Sequence, residues 1–435
     1  MTARRNSTNA SFGVAIMMTV VVGAAAFRHL ALAQAPKPTP AAEEKSSGFK
    51  KLVLTPQYYC DGIHTGDFNH DGRPDIVAGP FWYEGPAFTK AHEFYPAVAL
   101  PPEKEPSNSM FSFVYDFNGD GWDDILVLGR VHLHPAYWYE NPKGPGKPWA
   151  KHYAFERVQG ESPTLVDLDG DGHPQLICHW QGRWGWIEPN WEKPTEPWRF
   201  QPISEADEWK EFYHGEGVGD VNGDKRPDLV INDGWFEQPA NPKSPWKWHA
   251  CRFSEGRGGA QMFVYDVDGD GDTDMITAID AHGWGLAWFE QHKENGQIAF
   301  RPHTIMGTRD EISRYGVAFT QPHALDLGDI NGDGLPDLVV GKRMWAHGPK
   351  GDIEPSEAPV LYWFELKRAK STQPKNAAAS KETDASTTEV QFVPHLIDNH
   401  SGVGVQVTIA DVNGDGKNDI LSASKLGSFL FLNER

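Results

Sequence analysis

Cysteine is scarce in this chain: Cys60, Cys178 and Cys251 are the only three in 435 residues. So sparse and odd a set excludes a disulfide framework and reads as buried free thiols. Positive charge is also short, with 40 Lys and Arg against 60 Asp and Glu and a net charge of −20. Nucleic acid is thereby excluded as a partner, because phosphate backbones demand basic patches. No sustained helical period runs along the chain. Phosphate-binding Gly loops, a His-Glu-x-x-His helix and a Cys-x-x-Cys pair are all missing, so any catalysis must rest on His, Asp/Glu, Arg or a metal. Long apolar runs are missing too. The uncharged stretch Phe12 to Ala26 falls short of the about 20 residues that a membrane span needs.

That stretch follows Arg4 and Arg5 and precedes small-x-small cleavage options ending at Ala33 and Ala35. It reads as a signal peptide over residues 1–33, with an uncleaved anchor as the alternative; cleavage would make the protein secreted or periplasmic with no membrane span in the mature chain. Removing Arg4, Arg5 and Arg28 takes the charge from −20 to near −23. Residues 34–48, rich in Pro, Ala and Glu, read as a disordered lead-in.

What is plentiful is turn chemistry and aromatic side chains: 44 Gly, 33 Pro and 17 Trp. One pattern, Asp-x-Asn/Asp-x-Asp-Gly-x-x-Asp, organises them. It occurs at Asp67-Asn69-Asp71-Asp75, Asp116-Asn118-Asp120-Asp124, Asp167-Asp169-Asp171 and Asp220-Asn222-Asp224-Asp228. It returns at Asp266-Asp268-Asp270-Asp274, Asp329-Asn331-Asp333-Asp337 and Asp411-Asn413-Asp415-Asp419. Successive starts lie 49, 51, 53, 46, 63 and 82 residues apart, a spacing typical of propellers and solenoids. An apolar run precedes each loop. A β-rich run follows, then an aromatic run such as Trp82-Tyr83-Glu84 or Trp288-Phe289-Glu290, then a fourth run such as Trp248-His249-Ala250-Cys251. Four short strands per repeat make a propeller blade. The fold class is therefore all-β, a seven-bladed β-propeller of four-stranded blades over residues 49–435. The seventh repeat stops at Leu432 without a fourth strand, and Phe49-Lys50-Lys51-Leu52-Val53 resembles the missing one. The N-terminal strand is expected to close the ring and so to pair exposed edges. Residues 367–389, rich in Lys, Ser, Ala and Thr, read as a low-complexity insertion.

Oxygen ligands at alternate positions, with Gly at the sharp turn, suit a hard cation. The first six positions match an EF-hand loop, but the twelfth is never acidic (Ala78, Val127, Cys178, Ile231, Thr277, Val340 and Ser422). A compact strand–loop–strand site for Ca2+ is expected instead, up to seven in number and structural in role. Asp, Asn and Gly also make good turns without any ion. In the third loop Gln175 replaces the last Asp, and in the fourth Lys225 replaces a Gly that should need a left-handed backbone. Seven divalent ions would bring −23 to −9. With their β flanks these loops resemble the FG-GAP/VCBS repeat family, also found in integrin α-chain propellers. There is a weaker likeness to the propeller part of aldos-2-ulose dehydratase, a metal-dependent sugar lyase whose family also carries cupin domains, for which this sequence has no counterpart.

The calcium-type loops occupy one face of the ring. Turns between strands two and three, and links between blades, meet on the other. There the sequence gathers Arg130, His132 and His134; His179, Trp180 and Arg183; Asp280 and His282; Lys342, Arg343 and His347; and Lys425. The links add His64, His214, Glu216, Arg314, Tyr315, His323 and His400. Loops converging on a central channel are the default ligand site of such a fold. A lone His in a strand-end loop is more often a hydrogen-bonded surface residue than a ligand; what stands out is clustering with Arg and Lys. Three readings stay open. The first is a sugar lyase or dehydratase, with His64, His214, His282, His323, Arg183 and Arg343 as candidate catalytic groups and a transition metal on the open face. The second is a non-catalytic binder of a carbohydrate or protein ligand through His132, His134, His179, Trp180, Tyr315, Lys342, His347 and His400. Trp184, Trp284 and Trp345 offer it further flat faces. The third is a scaffold. The Trp of each third strand is expected in the core, and His152, His249, His303 and His395 as a structural repeat.

Overall fold

The computed structural model describes residues 48–435, apart from 105, 130–133, 145, 208, 210, 255–257, 312–313 and 371–387. The signal peptide, nearly all of the lead-in, Arg130 and His132 lie outside the described residues. Seven separate antiparallel sheets of four strands form the blades. In the first six, strands follow one another in chain order, beginning with Ile63–Gly66, Asp75–Ala78, Phe81–Tyr83 and Ala91–Glu93 in blade one. The seventh blade is closed by Phe49–Thr55, which pairs antiparallel with Gly427–Asn433, Phe49 lying opposite Asn433. The closure expected from the sequence is therefore present. The insertion is shorter than expected. Strands Leu361–Lys370 and Thr388–Asp398 extend through both its ends, because Lys367 to Lys370 continue the pairing with Thr388 to Gln391.

Second strands such as Asp75–Ala78, Asp124–Leu128 and Asp228–Ile231 are buried along their whole length. They are covered on both faces by neighbouring blades, which is why they read as continuous apolar runs. The core is inter-blade: Trp138 of blade two and Leu176, Cys178 and Ile187 of blade three belong to one cluster. All three cysteines are free thiols. The third-strand tryptophans are core residues, with Trp82, Trp138, Trp186, Trp235, Trp288 and Trp363 all buried.

In five blades a fourth-strand His stacks on that Trp and bonds a Glu at the end of the third strand. His92 lies 3.9 Å from Trp82 with Nε2 3.0 Å from Glu84. His249 lies 3.9 Å from Trp235 with Nε2 2.7 Å from Glu237. His152, His303 and His395 repeat the arrangement on Trp138, Trp288 and Trp363. His152, His249, His303 and His395 have the structural part expected of them, and His92 shares it.

The last Asp of each loop has a defined structural part. Asp75 accepts the N–H of Phe68 from its own loop and that of Gly85 beyond the third strand. Asp124, Asp228, Asp274, Asp337 and Asp419 do the same. Gln175 keeps half of this staple, its Oε1 accepting from Leu168 N. Burial pushes the stapling carboxyls up, Asp124 to about 8 and Asp228, Asp274 and Asp337 to about 7. No described helix is long and apolar enough to cross a membrane.

Candidate functional site

Each first strand runs from the open face down to its Asp loop, so one step of the repeat fixes one height in the ring. Six residues before the first Asp stand Asp61, Met110, Glu161, His214, Ala260, His323 and Val405. All seven are buried. Backbone bonds tie this tier across blades: Asp61 N donates to Ser109 O, Glu161 N to Tyr213 O and Val405 N to Asp61 O. Blades three, four and six thus contribute Glu161, His214 and His323 from equivalent positions. Strand irregularities help to aim two of them, with register breaks between Gln159 and Thr164 and between Pro322 and Ala324. Blade five has only Ala260 in this tier, and its turn between strands two and three supplies His282 instead. That turn is pinned by Ala281 N to Gly258 O, by His282 N to the Asp280 carboxylate and by Gln321 N to Gly283 O.

The four side chains converge. His214 Nε2 lies 2.9 Å from His282 Nε2 and 3.8 Å from Glu161 Oε2, and His323 Nε2 lies 3.3 Å from the same oxygen. One ligand atom from each of the four falls within 4.8 Å of every other. Ligands about 2.1 Å from a shared ion sit roughly 3.0–3.4 Å apart, so this spacing fits a single centre. Burial, then the charge of Arg343, holds His323 at about 4. Burial and the neighbouring His323 and His214 push His282 far below the usual imidazole range. Both rings are therefore neutral at physiological pH, the form that coordinates metals. The hydrogen-bond pattern alone leaves the arrangement unresolved. Two facing Nε2 atoms can share one proton, while Nδ1 of His282 and of His323 is buried without a partner. Inward lone pairs on all three rings, shared with one ion, would resolve the Nε2–Nε2 contact and leave Nδ1 of each ring as the protonated nitrogen. Three imidazoles and a carboxylate suit a divalent transition metal better than calcium.

Around this set stand Arg343, buried, with Nη1 2.9 Å from His323 Nε2, and His347, exposed, with its ring 4.7 Å from that of His282. Nδ1 of His347 is held 3.0 Å from Asp352. Gln321, two residues before His323, is fully buried with a left-handed backbone (φ 57°), and neither end of its amide has a partner. Glu216 lies below, its carboxyl pushed well up by burial. A channel of about 420 Å³ continues inward between the first strands, lined by His64, Gln261, Asp326 and Thr408.

Of the residues singled out from the sequence, His214, His282, His323 and Arg343 are brought together, with His347 at their edge. His64 faces the channel, its Nδ1 3.0 Å from Thr65 O. Arg183 is turned toward Ser204 and Glu205. His179 is buried against Trp184, and Trp180 bonds Glu156 and packs on Phe155 and Phe200. Trp184 is core rather than an open face, Trp284 lies beneath Arg309, and Trp345 bonds Pro355 O. Tyr315 bonds Gln391 of an outermost strand, and His134 and His400 are exposed. Lys342 is buried on Thr320 Oγ1 and Lys425 bonds Pro102 O. Glu161 was missed, although its place in the repeat matches those of His214 and His323. A second cavity of about 630 Å³ lies between blades three and four, lined by Trp209, Trp246, Trp248, Phe236, Arg183 and Lys243.

On the opposite face, carboxylates of Asp167, Asp169 and Asp171 converge, as do those of Asp266, Asp268 and Asp274. In the first loop Asp67 accepts the N–H groups of Asp71 and Gly72, and Asn69 that of Asp71. Lys225 adopts φ 71°, close to the 81° of Gly72, so the left-handed position is kept without a glycine.

Fold and repeat together define a seven-bladed β-propeller with Asp-rich loops on one face and a histidine cluster at its open end. The propeller carries FG-GAP-like repeats. The FG-GAP-like repeat family model matches residues 116–178 and 266–340. Integrin alpha-X of Mus musculus is 30% identical over 95 residues, 19% of this chain; the match spans 7% of the integrin's length. Among solved structures, the chain is similar to an Agrocybe aegerita lectin described as recognising non-reducing terminal N-acetylglucosamine. Identity is 14% and the TM-score 0.43, over 70% of this chain and 76% of that one. It is similar also to a rhamnogalacturonan lyase, with 12% identity and TM-score 0.43, over 89% and 76%.

Proposed function

We propose that the open face holds one divalent transition metal through Nε2 of His214, His282 and His323 and the carboxylate of Glu161, and that this centre acts on a carbohydrate-type ligand as a metal-assisted lyase or dehydratase. The convergence of these four ligand atoms within 4.8 Å carries the reading. Bound there, the ion would supply a Lewis acid for a carbonyl or hydroxyl oxygen. The chain supplies the rest. Arg343 offers a fixed positive charge where negative charge develops during proton abstraction. His347, oriented by Asp352 and open to solvent, is placed to take a proton and return it. Gln321 offers a donor and an acceptor to sugar hydroxyls. On the other face, the Asp loops would hold structural calcium.

The test is a screen of keto-sugars and acidic glycans against metal-replete protein, scoring new unsaturated product and plain binding separately. Product formation abolished by His282→Ala supports the reading; no product from any sugar, with the metal bound, removes the lyase. The aromatic groove of blades three and four favours a second reading, non-catalytic glycan binding. Binding that survives His282→Ala and is lost in Trp248→Ala would select it.

A further inference from the structure

Arg343 and a metal ion would compete for one lone pair. An imidazole nitrogen has a single lone pair, and that of His323 Nε2 accepts from Arg343 Nη1 at 2.9 Å. Coordination by His323 would use the same pair and take that acceptor away. Arg343 Nε has no partner already, and the residue is 3% exposed. The nearest carboxylate, Glu161 at 3.9 Å from Nη1, would itself be a ligand. Asp61 makes no ion pair with Arg343 among the described residues: its Oδ2 accepts from Tyr58 and twice from Ser107, its Oδ1 is buried without a partner, and its charge faces Lys425. A buried guanidinium stripped of its acceptors calls for an anion, best a planar carboxylate that it can hold with two parallel bonds. Charge points the same way. A divalent ion, one guanidinium, one carboxylate and three neutral imidazoles leave the site at about +2 in a chain of −20.

We propose that the ligand is a sugar acid, a uronate or aldonate whose carboxylate Arg343 holds once the metal has taken the His323 lone pair, so that Arg343 is the residue that selects acid over neutral sugars. Gln321, buried beside this strand end with both amide atoms free, fits the hydroxyls of such a ligand. The inference rests on the metal reading of the same site.

The test is calorimetric titration of Mn(II)-loaded protein with glucuronate and with glucose, which differ at one carbon. Bound manganese is measured on the same samples. Wild type is expected to prefer glucuronate by roughly 30-fold or more, and only when loaded. Arg343→Gln should keep the metal and fall below about threefold preference; Arg343→Lys, with charge but no fork, should fall between. Equal binding of the two sugars, or binding of neither, by loaded wild type overturns the proposal. So does a preference that persists in both variants. Wild type that takes up no manganese overturns the metal reading beneath it, an outcome visible before any sugar is added.

Discussion

The two ends of the propeller are built on opposite plans. At the loop end seven copies of one turn are tied by their own hydrogen bonds: carboxylates accept the N–H groups of their own loop, a buried Asp or Gln staples the strands around it, and among the described loop carboxylates Asp268 Oδ2 is buried without a partner. At the open end only blades four and six agree, both with His. One tier holds Asp, Met, Glu, His, Ala, His and Val in turn, and polar atoms of Gln321, His282, His323, Arg343 and Glu216 are buried without partners. Repetition with mostly satisfied polar groups marks what holds the ring; variation with many unsatisfied ones marks what the ring presents.

The contrast can be broken at either end. Stability should belong to the loops. In Glu161→Gln, which disables the open site, EGTA should lower Tm by more than about ten degrees in thermal melts if several ions are lost together. An unchanged Tm would leave the loops as hydrogen-bonded turns only. Turnover should belong to the open face. His347→Ala should retain the metal and lose roughly 100-fold in kcat, with Tm unchanged; full activity would remove His347 from proton transfer.

The stapling carboxyls give a pH test. Their folded values, about 7 for Asp228, Asp274 and Asp337 and about 8 for Asp124, stand above the about 3.9 of an unfolded Asp. The folded state then binds more protons, and stability falls as pH rises through these values. Calcium-free protein should gain a few degrees of Tm between pH 8 and 6, and calcium should flatten the slope. At the acid end the sign reverses. Glu84, lowered chiefly by Lys90 and then His92, and Glu237, lowered chiefly by His249, lose their contribution as pH falls through their folded values. The smallest effect concerns Lys225. With φ 71° on a residue that has a Cβ, Lys225→Gly should stabilise by about 1 kcal/mol in denaturant melts.

The loop end was legible in the sequence because each loop carries its whole pattern within nine residues. Blade count, strand order and ring closure followed from it. The open end was legible only in part. His214, His282, His323 and Arg343 stood out by residue type, but so did His64, Arg183, His179 and His400, which the fold sends to the channel, the rim, the core and the surface. What joins the true set is height in the ring, six residues before each loop, and Glu161 becomes visible only when that offset is counted. His282 obeys no offset, because it fills the room left by Ala260 from a different turn. That is a packing relation between blades, and no local pattern records it.

Elemental analysis of protein purified without chelator and loaded with excess manganese or zinc bears most directly on the four-ligand centre. One transition metal ion per chain is expected in wild type, in addition to any calcium, and less than a tenth of that in His214→Ala and in Glu161→Gln, both with an unaltered Tm in calcium. Calcium alone in wild type, or a full transition-metal complement in both variants, would contradict the account.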